Sequence, residues 1–247
     1  MTTQSQTADP FVVLYGVPWK TYEAILDALG EYHLRHTYDR GTLEMRGLLY
    51  GVDWRDYQKL LEALGDISLR HTYDRGTLEM MSPRKDHDWV KRIVGRLIEA
   101  MCLELNIPVQ SIGSTTLTSE SVERGLQPDE AYYIANEPLV RGKPQFEPDR
   151  DPPPDLVVEV DVTNSSVRRL PAFAAMKVPE IWRYDGEQLQ FLRLTESGEY
   201  AESPTSAAFP FLGPQDVARF LDLRTTTDEN SLIRSFLEWA RERSKQE

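Results

Sequence analysis

The sequence predicts a mixed α/β (α+β) fold, a central mixed sheet flanked by helices, with an N-terminal helix-hairpin unit present in two tandem copies. Three observations predict it. A stretch near the N-terminus recurs almost unchanged, apolar residues recur at helical spacing over 87–105, and the segment DLVVEVDV (155–162) alternates strictly like a strand. The 247 residues carry a net charge of −12, which works against a protein that coats nucleic acid through a basic surface, although locally clustered cations can still meet phosphate. No apolar run approaches the roughly 20 residues that cross a bilayer. The N-terminal MTTQSQTADP lacks the charged and apolar regions of a secretory signal, so a cytoplasmic location is expected. The single cysteine, Cys102, excludes an intramolecular disulfide and reads as packing in an apolar helical stripe.

Taken in order, residues 1–13 read as a disordered tail. LYGVPWKTYEAILDALGEYHLRHTYDRGTLEM (14–45) then returns as LYGVDWRDYQKLLEALGDISLRHTYDRGTLEM (49–80), about two-thirds of positions being identical. Each copy reads as an amphipathic helix, with Tyr57, Leu60, Leu61 and Leu64 on one face and Gly65 closing it, followed by a hairpin. The hairpin strands of the second copy, Leu69 to Tyr73 and Thr77 to Met80, join at Asp74-Arg75-Gly76, where Gly76 can supply a positive φ. A helical solenoid of similar period is the alternative, and two copies without a second helix argue against it. The expected division is a first copy over 14–48 and a main domain over 49–247, made of the second copy (49–80), a core (81–200) and C-terminal helices (201–247). Because both copies carry the same apolar pattern, the first is expected to pack beside the second, extending its sheet, or to dock on another subunit.

Beyond Met81-Ser82-Pro83 a long helix is expected from about His87 to Leu105, then strands over Val109 to Leu117 and Ala131 to Ile134. A Pro-rich surface loop leads into 155–162. Ser165, Ser166 and Pro171 start a helix, Ile181 to Tyr184 and Gln188 to Leu194 form a hairpin around Asp185-Gly186, and helices near 214–223 and 228–243 close the chain.

In DLVVEVDV, Leu156, Val158, Val160 and Val162 share one face, and Asp155, Val157, Glu159 and Asp161 the other. Carboxylates on so apolar a strand must be solvated, paired or bound to a cation, so the acidic face is expected to open onto a cleft or a metal. Asp155 and Glu159 stand roughly 13 Å apart along a strand, too far to share one ion, whereas Glu159 and Asp161 are about 6.6 Å apart. A second metal carboxylate is better sought on a neighbouring strand, and Asp129 at the mouth of the preceding one is the natural candidate.

The series GTLEMMSP, His87, GSTT (113–116), QPDEAYYI (127–134), PPPDLVVEVDVTNSSVRR (152–169) and VPEIWRYDG (178–186) resembles the bacterial Uma-two-like family of restriction-endonuclease-like proteins, in the PD-(D/E)xK nuclease superfamily. The resemblance runs from about Leu49 to the C-terminal helices, and the first repeat copy is what the family pattern does not require. It implies phosphodiester hydrolysis of DNA with Mg²⁺ or Mn²⁺, a restriction-endonuclease-like sheet, and a homodimer. Carried over by motif, Asp129 and Glu159 become the metal ligands, and His87 and Glu79 fall at family positions. Asp161 stands where the superfamily places its lysine, and it reads either as a third ligand or as a solvated strand end. Arg168, Arg169 or Lys91 are candidates to take over part of the lysine's electrostatic role, with Arg169 the preferred one. A guanidinium stays protonated and cannot act as a base. His87 can equally cap or pack its helix, Glu79 recurs as Glu44 and so suits a hairpin role, and Arg84, Lys85, Lys91, Arg92 and Arg96 suit either a phosphate-facing patch or a solvated helix face. A binding or scaffold module that kept the fold without the catalysis is the competing reading.

Overall fold

The computed structural model describes residues 11–247 apart from 33, 66, 68, 82–84, 144–146, 148–149, 162–168 and 246–247, with the backbone alone described at 11 and 85–88. In chain order the elements are β1 (Phe11–Leu14), α1 (Trp19–Leu29), β2 (His36–Asp39), β3 (Thr42–Arg46), β4 (Leu48–Tyr50), α2 (Trp54–Leu64), β5 (Arg70–Asp74) and β6 (Thr77–Met81). Next come α3 (Lys85–Glu104), β7 (Gln110–Ser111), β8 (Leu117–Ser119), β9 (Arg124–Leu126), β10 (Glu130–Tyr133), α4 (Glu137–Val140) and β11 (Leu156–Val160). The chain ends with α5 (Leu170–Ala175), β12 (Glu180–Tyr184), β13 (Leu189–Leu194), β14 (Tyr200–Ser203), α6 (Pro214–Leu221) and α7 (Glu229–Arg243). The fold is mixed α and β. Among the described residues, no helix is long and apolar enough to cross a membrane.

The chain divides into two compact units. The first holds the described residues of Met1–Pro83 together with Glu120–Leu126. Residues 11–13, expected in a tail, form β1 together with Leu14, because Val12 and Leu14 are buried and the strand pairs with β3. Segments 14–45 and 49–80 contribute to one apolar core, Ile25, Leu29 and Met45 from the first and Tyr57, Leu60 and Met80 from the second. Their hairpins lie in different sheets, ordered β1-β3-β2 and β4-β6-β5-β9, so the first hairpin does not extend the sheet of the second. Both hairpins turn on two consecutive left-handed residues, Arg40-Gly41 at φ 45° and 88° and Arg75-Gly76 at φ 43° and 89°, a backbone that matches strand twist.

Strand β9 makes the two hairpins differ. It runs antiparallel to β5 with Thr72 opposite Leu126, Tyr73 opposite Gly125 and Asp74 opposite Arg124. Under it, Tyr57, His71 and Tyr73 are buried.

In the second unit, a sheet ordered β14-β13-β12-β11-β10-β7 carries α3 against β11, with Val94, Leu97, Ile98, Val158, Trp182 and Phe191 in a common core. Among the described strands of this sheet, only β11 and β12 run parallel; β10 and β11 are antiparallel, as are β12 and β13. The strand expected over Val109 to Leu117 is broken into two short pieces. Gly113 adopts φ 56°, and the carbonyl of Ile112 accepts from the Thr115 backbone, which turns the chain. Strand β14 has no counterpart in the sequence reading, since its burial alternates weakly. Ser165 and Ser166 lie outside the described residues, and α5 is described from Leu170. Cys102 is buried and free, and burial pushes its thiol up to about 12.

A Cβ built on Gly125 would lie 2.2 Å from the Tyr57 hydroxyl oxygen, so the backbone of β9 approaches that ring as only glycine permits. Gly125→Ala is expected to destabilise the protein by about 1–3 kcal/mol, measured by urea denaturation; an unchanged midpoint would show that the strand does not lie against the ring.

Candidate metal and phosphate site

Strand β11 owes its position to being apolar on both sides: Leu156, Val157, Val158 and Val160 are all buried. Residues Leu156, Val158 and Val160 face the core that α3 covers, as the alternation predicts. The other face holds Val157, Glu159 and, just beyond the strand, Asp161.

The antiparallel register pairs Tyr132 with Leu156, Ala131 with Val157 and Glu130 with Val158. One step further along that register sets Asp129 opposite Glu159, and opposed residues of antiparallel strands point to the same face. A hydrogen bond seals this end of the ladder, the backbone N–H of Val160 donating to Asp129 Oδ2 at 2.7 Å. Both carboxylates are buried, Glu159 with 0% of its surface exposed.

On this face Asp129, Glu159 and Asp161 are all buried, and described guanidinium groups lie against them. Arg169, at the residue before α5 and 1% exposed, sets its Nη2 3.1 Å from Glu159 Oε1. The same nitrogen donates to the carbonyl of Gln127, two residues before Asp129. Its guanidinium also lies 5.7 Å from the Phe173 ring centre. Parallel pairing brings Arg183 of β12 beside Glu159, and its Nη2 approaches Asp161 Oδ2 at 3.4 Å. The backbone N–H of Asp161 donates to the Tyr184 carbonyl at 2.6 Å. Two guanidiniums thus interleave with the carboxylates, because charges removed from water require partners.

Asp129, Glu159, Asp161 and Arg169 therefore come together in the second unit. His87 lies in the first turn of α3, with its side chain outside the described residues, as is Arg168. Glu79 lies on β6 in the first unit. Lys91 is on the other face of the sheet, 3.6 Å from Glu130 Oε1, and desolvation raises the Glu130 carboxyl above its ordinary range. Lys91, Arg92, Arg96, Glu99 and Glu130 line a shallow depression there, so the basic residues of α3 are interspersed with acids. Asp155 serves the loop after β10, accepting from the backbones of Ile134 and Asn136 at 2.7 and 2.9 Å. Arg183 was not singled out by sequence reasoning. The signal was its place in EIWRY, on the face of Ile181 and opposite to that of Trp182, on a strand whose partner was unknown.

Hard oxygen donors at Asp129, Glu159 and Asp161 suit Mg²⁺ or Mn²⁺ by type. Among the described residues, no three His, Cys, Asp or Glu side chains gather as a ready ligand set, so the carboxylates offer the donor chemistry with Arg169 and Arg183 among them.

Removing one member of the buried Glu159–Arg169 pair leaves the other charge without it. Glu159→Gln and Arg169→Met are each expected to cost about 3–5 kcal/mol, and the double variant less than their sum. Chemical denaturation of the four proteins gives the coupling, and strictly additive losses would show that the two side chains do not interact.

Residues 54–225 match the model of the Uma2 family, described as Putative restriction endonuclease. Among solved structures, the chain is similar to a putative nuclease belonging to DUF820 from Anabaena variabilis ATCC 29413. The identity is 14% over 68% of this chain and 90% of that one, with a TM-score of 0.44. No curated protein matches the chain.

Proposed function

We propose that this chain, which belongs to the Uma2 family described as Putative restriction endonuclease, is a divalent-metal-dependent nuclease that hydrolyses DNA phosphodiester bonds. Asp129 and Glu159 are the proposed ligands of Mg²⁺ or Mn²⁺, and a homodimer is the assembly in which two such centres would act on both strands. The observation that carries the reading is the register that sets these two carboxylates opposite each other on one face. When bound, the ion would polarise the scissile phosphate and activate a water for in-line attack.

The chain's own residues have distinct roles in this reading. Arg169 links the Gln127 carbonyl to Glu159, so it positions the segment bearing Asp129 against the strand bearing Glu159. As a permanent cation it also offsets negative charge that grows on the phosphate, in place of the lysine that Asp161 replaces. Arg183 holds the Asp161 carboxylate. His87, in the first turn of α3, is the proposed further catalytic group.

The binding-module reading is favoured by one feature, the buried guanidinium that already meets Glu159. Cleavage of supercoiled plasmid with Mg²⁺ or Mn²⁺ separates the two. The nuclease reading expects metal-dependent nicking or linearisation, lowered by roughly a hundredfold or more in Asp129→Asn and Glu159→Gln. A folded wild-type protein that cuts no DNA with either metal would establish the binding module instead.

A further inference from the structure

Within the first unit, the two duplicated segments have the same local chemistry but not the same surroundings. In the second, Tyr57 stacks on Tyr73 at 4.6 Å, its hydroxyl meets His71 Nε2 at 3.0 Å, and the Tyr73 hydroxyl donates to the Val52 carbonyl. In the first, Tyr22 stacks on Tyr38 at 4.5 Å, its hydroxyl meets His36 Nε2 at 3.1 Å, and the Tyr38 hydroxyl donates to the Val17 carbonyl. Trp54 and Trp19 flank the two stacks alike.

The second platform is covered by β9. Arg124 Nε reaches Asp74 Oδ1 at 2.8 Å, although Asp74 also meets its neighbour Arg75, and Gly125 lies against Tyr57. The corresponding edge of the first platform is β2, which ends its sheet; among the described residues no strand pairs with its outer side. His36, Thr37 and Asp39 are exposed, Trp19 is 58% exposed, and the Asp39 side chain, 71% exposed, meets its neighbour Arg40 as Asp74 meets Arg75.

We propose that β2 is a docking edge for an extended segment of a partner polypeptide carrying Arg-Gly-Leu. The segment would run antiparallel to β2, with its arginine opposite Asp39, its glycine opposite Tyr38 and above Tyr22, and its leucine opposite Thr37. The chain's own duplicate supplies the pattern: identical strand residues, an identical ring stack, and one known complement in Arg124-Gly125-Leu126. Backbone hydrogen bonds to a free edge give affinity, and the alternating side chains give selectivity. The glycine is required because a Cβ would enter the tyrosine ring, and the arginine because Asp39 is an exposed acid on a chain of net charge −12. A second copy of the chain is a poorer occupant, since its Arg124–Leu126 strand is already paired with its own β5.

The probe is a fluorescein-labelled peptide of residues 120–127, ESVERGLQ, titrated with the full chain and followed by anisotropy. Saturable binding is expected, weakened roughly tenfold or more by Asp39→Lys in the protein or Gly125→Val in the peptide. A peptide carrying Arg124→Glu should bind the Asp39→Lys protein better than the original peptide does. No saturable binding overturns the proposal. So does binding that ignores Asp39→Lys but is lost in Asp74→Lys, which would mean that the peptide displaces β9. Self-association of the chain on sedimentation that Asp39→Lys abolishes would also overturn it, by making a second copy the occupant.

Discussion

The guanidinium of Arg169 ties two distant stretches of chain to one point. Its Nη2 donates to the carbonyl of Gln127 and lies 3.1 Å from the carboxylate of Glu159, with both side chains almost wholly removed from water. Taking an unpaired charge into such surroundings costs several kcal/mol, so each group forces the other into place. The Val160 N–H bond to Asp129 closes the same junction from the backbone side. Given these contacts, β10 has one register on β11, and that register puts Asp129 opposite Glu159. A slip by one residue would turn Asp129 to the face where Leu156, Val158 and Val160 meet α3.

The same physics explains why the buried carboxylates of this face lie against guanidiniums. Glu159 sits on a strand buried on both sides and Asp161 just beyond it, and Arg169 and Arg183 answer them from the residue before α5 and from the parallel neighbour β12. A binding site for a divalent cation built from these carboxylates therefore competes with resident guanidiniums. In the proposed reading Arg169 would be both a positioning residue and a cation beside the proposed ligand Glu159.

The duplication shows how far surroundings, rather than sequence, decide exposure. HTYDRGTLEM occurs twice, forms the same two-residue turn twice, and holds the same tyrosine pair twice. Thr72 is buried and Thr37 exposed because β9 lies along β5 and no described strand lies along β2. Local periodicity cannot report such a difference.

What could be read in advance follows the same line. The long helix α3, the strand at 156–160 and the turns at Gly76 and Gly186 have strong local signals, namely spacing, alternation and a residue that accepts a positive φ. The pairing of Asp129 with Glu159 could be guessed because strand spacing leaves Asp155 too distant to share an ion. The place of Arg183 beside Glu159 was hidden, since it depends on β12 running parallel beside β11, a long-range choice that single-strand patterns do not encode. The broken stretch at 110–119 was hidden by β-branched residues whose propensity gives way to the turn at Gly113. The central claim, that Asp129 and Glu159 together hold a divalent cation, is tested most directly by electron paramagnetic resonance of Mn²⁺ titrated into the folded wild type and into Asp129→Asn and Glu159→Gln. The account predicts saturable loss of the free Mn²⁺ signal in the wild type and its persistence in both variants; equal binding by all three proteins, or none by the wild type, would contradict it.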